Sequence, residues 1–569
     1  VVVPEIYDLI TRLVEQIVLS HRKGVRETAS NIVVSFLISY PLGKKRLDAH
    51  MRQFVQNCSY EYEEGRVSAL SLLIDLCRLL PVPVVDEYSQ LIFMPMALQL
   101  VNDQSPKCRA RAGDVIVSLC RRASADTVSN CLTFSMQWLG VKSKPNAKSM
   151  NRSLMRTGAQ AMGLIVLARA DLFKRGTIIP DTLLMIRETV FYILKADGSF
   201  GQSRRQSLEK REMSKDAEGD GESGGGETWA MLYHLLVLLE RVFTHLPAVV
   251  DKTIVRDDDS GGTAEELPPL MEIVQESMLY PHAWVRAAAC RTLALYLQRR
   301  DPTAAQMGCV NTSSELLMKP NGLYNMARRL CVAINQPVIA PTLLPALIDC
   351  LVFGVRAMHH YPDTNLSSGA DESGDESDNS DEASDEKKDG ALSVSSRSSV
   401  GGSNWVMHRL RAIGADSRGS RRANVIKVFS RLIKAESVEF VKMYLYQFIE
   451  VALRSRISKR DRSESNDENK ELLETCVAFL DDIEAVVGSS LYIGVYGEVQ
   501  RAIESSKAEK KRRLAAEAIS DPKSYAQRKV EKSEKKKESR KRKAEKFAAA
   551  KGLKRKKNSR VGAVIYEDI

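Results

Sequence analysis

Apolar residues recur along most of the chain at the three- and four-residue spacing of an α-helix. The pattern is clear in Glu64–Leu80, which Pro81 ends, and where the apolar positions are Val67, Leu70, Leu73, Ile74, Cys77 and Leu80. Further leucines, at positions 72, 76 and 79, widen the apolar stripe beyond one face. A helix that is apolar nearly all round needs cover on several sides. The pattern therefore predicts a helix inside a stack of other helices.

This layout returns at a regular interval along the chain. Each copy has a turn, an arginine near the helix start, small residues and then Leu, Val or Ile; the copies include those at Gly24, Ser105, Leu154, His282 and Ser420. Arg26, Arg66, Arg109 and Arg156 follow one another at steps of 40, 43 and 47 residues. Such a period is typical of HEAT and armadillo units, in which two antiparallel helices stack on their neighbours. We predict an all-α fold, a HEAT/armadillo-type α-solenoid.

Small residues follow the arginine in several of these copies. Gly113, Ala159 and Ala287–Ala289 stand where consecutive helices would approach closely. The best single match to a HEAT unit is Pro281–Ala289, which includes Trp284. We expect Trp284 and Ala287–Ala289 to lie at a contact between helices.

Changes in composition divide the chain into six segments. Residues 197–228 and 362–403 are rich in Gly, Ser and charge, and they contain too little apolar surface to offset the entropy of ordering them. We predict that both are disordered insertions. The other segments are a HEAT-like array at 1–196, its continuation at 229–361, C-terminal HEAT-like helices at 404–500 and a basic helical tail at 501–569.

Composition excludes several classes of protein. Hydrophobic residues make up 44% of the 569 residues and aromatic residues 6%, a profile that suits helical packing better than a β-sandwich. No apolar run approaches the ~18 residues that a membrane helix needs, and no signal peptide is recognisable. The chain begins Val1-Val2-Val3-Pro4 without an initiator Met, which suggests that it is cut from a longer protein.

Candidate catalytic and metal-binding motifs are few. None of the ten cysteines stands in a C-x-x-C pair, so we expect small buried residues in a reducing compartment. His359-His360 is the one pair that suggests a metal, but no acidic residue or cysteine accompanies it at ligand spacing. The sequence contains no nucleophile elbow, Walker loop, zinc-protease motif or kinase signature. We therefore expect no enzyme activity, no cofactor and no metal.

The net charge of +11 combines two opposite blocks. Residues 501–560 contain 24 Lys and Arg against 8 Asp and Glu, a net of +16, whereas residues 371–389 contain 10 Asp and Glu against 2 Lys, a net of −8. The remainder of the chain is therefore +3, because 11 − 16 + 8 = 3. The basic charge belongs to the tail rather than to the predicted array.

Four basic clusters stand in this tail. They consist of Lys510, Lys511, Arg512 and Arg513; Lys535, Lys536 and Lys537; Arg540, Lys541, Arg542 and Lys543; and Lys554, Arg555, Lys556 and Lys557. Pairs such as Glu509 with Arg513 at a four-residue spacing predict helix. Clusters of this kind contact RNA phosphates with little sequence preference, or act as a nuclear-import signal. A solvated helix that binds nothing is the alternative.

The acidic block contains four serines among its Asp and Glu residues. Ser373, Ser377, Ser380 and Ser384 are candidates for phosphorylation, and Ser373 with Glu376 fits the acidophilic-kinase pattern. Phosphorylation would deepen an already negative charge. A solubilising linker explains the same composition.

Short stretches carry a resemblance to a known family. Leu100–Arg109 (LVNDQSPKCR), Tyr280–Arg286 (YPHAWVR), Asn404–Leu410 (NWVMHRL) and the basic tail resemble the C-terminal part of the small-subunit processome component 20, or down-regulated-in-metastasis, family of large HEAT-type scaffolds. The likeness runs from about residue 60 to residue 499. It implies a nucleolar, non-enzymatic eukaryotic protein that acts in 18S rRNA processing. The implied partners are pre-ribosomal RNA, small nucleolar RNA and other processome proteins, with no membrane and no small-molecule substrate.

Two other kinds of HEAT protein remain as alternatives. A nuclear-transport receptor or similar adaptor binds proteins only, but such a receptor should be acidic overall and has no need of a tail with a net charge of +16. A scaffold subunit that regulates an enzyme is not distinguished by the sequence.

Overall fold

The computed structural model describes residues 4–40, 42–141, 151–174, 176–197, 226–248, 267–303, 320–336, 339, 341–360, 402–415, 419–457, 466–523, 525–531, 533–534 and 537. These residues form α-helices and one short 3-10 helix, Ala170–Phe173, and none of them is in a β-strand. None of the described helices is long and apolar enough to cross a membrane. The two predicted insertions lie almost entirely outside the described residues.

The α-helices are numbered in chain order. They are α1 (Pro4–Leu19), α2 (Lys23–Ser39), α3 (Lys44–Asn57), α4 (Glu63–Leu79), α5 (Val82–Asn102), α6 (Pro106–Arg122), α7 (Ala125–Leu139), α8 (Arg152–Ala168), α9 (Ile178–Ala196), α10 (Gly226–His245), α11 (Leu270–Ser277), α12 (Ala283–Leu297), α13 (Pro320–Ile334), α14 (Leu344–His360), α15 (Gly402–Ala415), α16 (Gly419–Ala435), α17 (Val438–Met443), α18 (Leu445–Ile457), α19 (Asn466–Val487) and α20 (Ser489–Ser520).

These helices form two layers. In one layer α2, α4, α6, α8, α10, α12, α14, α16 and α19 each contact the next. In the other, α3 contacts α5 and α5 contacts α7, and a second run passes through α9, α11, α13, α15, α18 and α20. Each even-numbered helix from α2 to α16 also packs against the odd-numbered helix before it. This stack of helix pairs confirms the predicted all-α solenoid.

Local sequence signals determine where several helices begin and end. Ser105 caps α6, because its Oγ accepts a hydrogen bond from the backbone N–H of Cys108 at 3.3 Å, and the proline after it occupies the first helical position. Helix α4 ends at Leu79, two residues before Pro81. Helix α7 ends at Leu139 and is followed by Gly140, whose φ of +80° is the left-handed conformation common at helix C-termini.

The core runs continuously between the layers. In α4 the leucines at 70, 72, 73 and 76 are buried, as the all-round apolar pattern predicts, but Leu79 at the helix end is exposed.

In α12 Ala288 and Ala289 are fully buried, which confirms the close helix contact predicted there. Trp284 also lies at a contact between helices, because its ring meets Trp229 of α10, although the residue is 59% exposed. The nine described cysteines are buried and none of them forms a disulfide, and Cys309 lies outside the described residues.

Replacing Gly158 with alanine should destabilise the array. A Cβ at this position of α8 would lie 2.7 Å from the backbone N of Leu139 and 2.7 Å from the backbone O of Ser135, and backbone atoms of α7 have little room to move. We expect the free energy of unfolding to fall by about 1–3 kcal/mol, the usual cost of overpacking. Chemical denaturation of both proteins measures the difference.

Gly113 in α6 provides the matched control. A Cβ there would meet Leu100 and Leu164 side chains at 3.5–3.8 Å, which is ordinary contact. Gly113→Ala should therefore be neutral or stabilising by up to about 1 kcal/mol, because alanine restricts the unfolded chain. Equal effects of the two substitutions would show that the α7–α8 approach is looser than the structure has it.

Candidate nucleic-acid interface

Three of the four arginines that mark the repeat steps hold the turns between helices. Arg26, Arg66 and Arg109 each stand at the fourth position of an even-numbered helix. In each, Nη1 donates to the backbone carbonyls six and five residues earlier, at distances of 2.7–3.1 Å. Arg286 makes the same pair of contacts, with Tyr280 and Pro281. Sequence reasoning used these arginines as markers and missed their role, which is to tie the turn to the helix that follows it.

One of these arginines also joins neighbouring repeats. Arg66 donates from Nε and Nη2 to the carboxylate of Asp103 at 3.0 and 3.1 Å. Burial favours the neutral acid, but hydrogen bonds from Gln99, the backbone of Ser105 and Arg66 outweigh it and lower the pKa of Asp103. The guanidinium is mostly buried and engaged, so it is a structural cation rather than a free phosphate ligand.

The basic tail begins inside a long helix. Helix α20 runs through positions 500 and 501, where composition separates the C-terminal helices from the tail. It packs against α18 and α19, with Val499 and Ile503 buried. From 504 to 516 every residue is exposed. The sixteen residues 505–520 extend the anchored helix by about 24 Å at 1.5 Å per residue.

The first basic cluster stands on this exposed extension. Lys510, Lys511, Arg512 and Arg513 occupy four consecutive positions, and at about 100° per residue they point to different sides of α20. All four are exposed. Their position confirms the helix predicted for this part of the tail and presents positive charge around the whole helix rather than on one face.

The other predicted site residues are only partly described. Lys537 is helical and exposed. Those outside the described residues are Lys535, Lys536, Arg540, Lys541, Arg542, Lys543, Lys554, Arg555, Lys556, Lys557 and the four serines Ser373, Ser377, Ser380 and Ser384.

A second cation-lined surface lies between α12, α14 and α16. Two cavities of about 800 and 530 Å³ meet there and share Arg431 and Lys434. Arg431 lies 3.9 Å from Asp349, and Lys434 lies 3.6 Å from Asp482. These carboxylates offset the positive charges of Arg431 and Lys434. This surface therefore attracts a polyanion less strongly than the extension of α20 does.

The histidine pair at the end of α14 has ordinary partners. His360 Nε2 lies 3.3 Å from a carboxylate oxygen of Glu436, and the ring of His359 packs edge-on against Phe440 with centroids 4.8 Å apart. Arg356 also pairs with Glu436, at 2.6 Å. Within the described ranges, no group of three or more His, Cys, Asp or Glu side chains is arranged to hold a metal.

Sequence reasoning also missed an exposed aromatic surface. Trp229 occupies the fourth position of α10, where α2, α4, α6 and α12 carry the turn-holding arginine. Its ring stacks on His282 with centroids 3.7 Å apart. Trp284 meets Trp229 edge-on and Tyr233 at a tilt, both at 5.7 Å. The only sequence signal was the tryptophan in place of arginine at one repeat start.

Comparison with protein families matches one region of the chain. Residues 412–546 match the model described as "Small subunit processome component 20 homolog, C-terminal". Residues 412–546 are therefore similar to the C-terminal domain of this family. The resemblance predicted from sequence is confirmed, although the matched region begins after the three short stretches on which that prediction was based. The domain contains the end of the array, all of α20 and three of the four basic clusters.

Two curated relatives carry the same kind of name. The chain is 28% identical over 165 residues to the U3 small nucleolar RNA-associated protein 20 of Schizosaccharomyces pombe, and 25% identical over 154 residues to that of Saccharomyces cerevisiae. These alignments cover 29% and 27% of this chain. They span only 6% of the length of each relative.

Solved structures resemble the chain at low identity. Kap121p bound to Ste12p is 12% identical, with a TM-score of 0.40 over 91% of this chain and 44% of that one. An engineered protein is also 12% identical, with a TM-score of 0.33 over 88% of this chain and 98% of that one. The assignment of the fold rests on the stacked helix pairs, and these likenesses carry no conclusion about function.

Proposed function

We propose that this chain is part of a non-enzymatic scaffold of the nucleolar small-subunit processome, acting in 18S rRNA processing. The match of residues 412–546 to the processome component's C-terminal domain carries the proposal. The two yeast relatives, named for association with U3 small nucleolar RNA, support it. Partners would be pre-ribosomal RNA, small nucleolar RNA and other processome proteins, in the nucleolus.

The structure suggests how the two parts of the chain share this role. A stack of helix pairs offers a long surface on which other proteins can dock. The α20 extension holds exposed cations away from the array, where they can reach RNA phosphates without disturbing the core. Because phosphate contacts carry no sequence information, the tail would bind RNA generally and leave the choice of RNA to the rest of the particle.

Crosslinking to RNA in cells tests the processome role. Crosslinks concentrated on pre-ribosomal RNA or U3 small nucleolar RNA are the expected result. A protein that crosslinks to no RNA would instead be a protein-binding adaptor, and the proposal would be wrong.

Neutralising the basic clusters should remove most of the tail's RNA affinity. For a single-stranded RNA probe, each phosphate neutralised contributes about 0.7 to the slope of log K against log salt, so about six contacts cost two to three decades of affinity between 50 and 200 mM salt. Replacing all four clusters with glutamine in the full chain should abolish most of this slope. The array should stay folded, because the described cluster residues are exposed.

A matched pair of variants isolates the contribution of α20. Lys510, Lys511 and Arg512 changed to glutamine should lower the salt slope by about 2 if each meets a phosphate. The control changes Lys23, Lys44 and Lys107 to glutamine, removing the same charge from side chains that are 74–80% exposed and that each pair with a glutamate. Equal slopes for the two triple variants would contradict a specific role for α20.

A further inference from the structure

The cation-lined surface between α12, α14 and α16 is a groove, which we call the α14 groove. Its floor is one face of α14, where Leu344, Ile348 and Val352 follow one another at four-residue spacing. The end of α12 and one face of α16 line its two sides. From Leu344 to Arg356 the helix rises by about 18 Å at 1.5 Å per residue, which gives the length of the groove.

Among the described residues, five cations line the α14 groove. They are Arg300, Arg356, Lys427, Arg431 and Lys434. Three carboxylates pair with members of this set, namely Asp349, Glu436 and Asp482. These five cations and three carboxylates leave a net charge of +2. The apolar floor between the charges strengthens their field, because it excludes the water that would screen them.

Two of the five cations have long and exposed ion pairs. The side chain of Arg431 is 65% exposed and lies 3.9 Å from Asp349, and that of Lys434 is 68% exposed and lies 3.6 Å from Asp482. Exposed pairs of this kind contribute little to stability, so either cation can exchange its partner for another carboxylate. Lys427, one turn before Arg431, is exposed and pairs with no described carboxylate. The groove can therefore accept additional negative charge.

The acidic block, residues 371–389, is joined to the α14 groove by a short stretch of chain. Helix α14, which forms the floor, ends at His360, and the block begins eleven residues later with a net charge of −8. Eleven extended residues span about 36 Å at 3.3 Å each, which is twice the length of the groove. The block can therefore reach every cation of the groove. A ligand tethered so closely has an effective concentration of the order of millimolar.

We propose that the α14 groove binds acidic peptide, and that its occupant is the acidic block of this same chain. The block cannot bury a core of its own, but contacts between carboxylates and fixed cations do not require one. Phosphorylation of its serines would add negative charge and strengthen the contact. The proposal concerns a contact within the chain, and it does not depend on the proposed processome function.

Two other pairings are less favoured. Free RNA gains little from a groove with a net charge of only +2, whereas the short tether compensates for a weak intrinsic affinity of the acidic block. The basic tail, with a net charge of +16 in residues 501–560, is the second candidate partner for the block. The groove is favoured over the tail because its cations are held on packed helices, next to the point where the chain leaves α14.

Zero-length crosslinking of the unmodified full chain tests where the acidic block lies. A carbodiimide joins a carboxylate to a lysine amine as an amide and takes up the water that is lost. We expect links from residues 371–389 to Lys427 and Lys434, identified by mass spectrometry of the digested protein. Links to lysines of the tail, with none to Lys427 or Lys434, would overturn the proposal and assign the block to the tail.

Binding of a labelled synthetic peptide of residues 371–389 gives a second test. All proteins are full chains with the four tail clusters neutralised, so that the tail does not capture the peptide. Changing the ten Asp and Glu of the block to Asn and Gln should free the groove and tighten peptide binding at least tenfold, because the tethered competitor is lost. Fluorescence anisotropy measures the affinity.

Neutralising the groove should reverse this gain. Lys427→Gln, Arg431→Gln and Lys434→Gln, added to the chain with the neutral block, should weaken peptide binding at least tenfold. The control adds Lys23→Gln, Lys44→Gln and Lys107→Gln instead, which remove the same charge from other exposed positions and should leave the affinity within twofold. Unchanged melting temperatures show that both triple variants fold.

Two results of the peptide experiment would overturn the proposal. Equal losses for the two triple variants would mean that the peptide does not occupy the α14 groove. Equal binding by the chains with the acidic and the neutral block would mean that the groove is open to an acidic peptide of a partner protein rather than filled by its own chain. Neither result bears on the processome role, which cellular crosslinking to RNA tests separately.

Discussion

Ala288→Arg should unfold or strongly destabilise the middle of the array. The alanine side chain has no exposed surface, and α12 packs at this point against both α10 and α14. A guanidinium there would overpack the contact and bury a charge without a partner. Each effect is among the few that cost several kcal/mol, and we expect a total of at least about 3 kcal/mol. Denaturant unfolding monitored by circular dichroism measures the loss.

Ala110→Arg is the matched control for this substitution. It places the same side chain near the start of another even-numbered helix, α6, at a position that is exposed. Its effect should stay within about 0.5 kcal/mol, as for most surface changes. A small effect of Ala288→Arg would mean that the helices of this layer are farther apart than the structure places them.

Glu450→Ala should strongly destabilise the C-terminal part of the array. Glu450 on α18 is 3% exposed, and it accepts hydrogen bonds from Nε of Arg411 on α15 and from Nε and Nη2 of Arg454. Removing the carboxylate leaves two guanidinium groups facing each other. Breaking a buried ion pair costs about 3–5 kcal/mol, and we expect the lower end, because the two arginines are about one-third exposed.

The same carboxylate predicts a dependence on pH. Burial would raise the pKa of Glu450, but the hydrogen bonds and charges of Arg411 and Arg454 prevail and lower it. A carboxyl whose pKa is lower in the folded state stabilises the protein above its unfolded pKa and loses that contribution as pH falls through its folded pKa. Between pH 7 and pH 3, the wild type should therefore lose more stability than Glu450→Gln.

Urea unfolding at both pH values checks this prediction. Glu439→Ala, on the exposed side of α17, provides the control and should behave like the wild type. If Glu450→Ala and Glu439→Ala unfold at the same urea concentration, the carboxylate is not a structural centre of this part of the array.

The spacing of apolar residues was enough to predict the helices, because whether a side chain is buried depends on its own position along the helix. In α4 the repeated leucines predict both a helix and its cover, since the face of each side chain follows from its position along the helix. Pro81 and Ser105 marked helix ends for equally local reasons, namely a missing N–H and a capping hydroxyl. The burial of the other leucines of α4 followed in the same way, and only Leu79, at the helix end, is exposed against the pattern.

The family resemblance and the exposed cluster on α20 could also be predicted from the sequence. A run of Lys and Arg cannot be buried without partners, so its place on the surface follows from composition. The composition does not indicate that Ile503 and Val499 anchor the helix carrying the first cluster. That depends on the packing of α20 against α18 and α19.

The sequence by itself determined the helical repeat, the small residues at helix contacts and the charge of the tail, because each depends on neighbours a few positions away. Only the tertiary structure decided that Trp229 meets Trp284 across 55 residues and that Glu450 meets Arg411 across 39. Such contacts depend on how two helix faces are rotated when they stack. That rotation is set by the packing of whole layers, which no local pattern encodes.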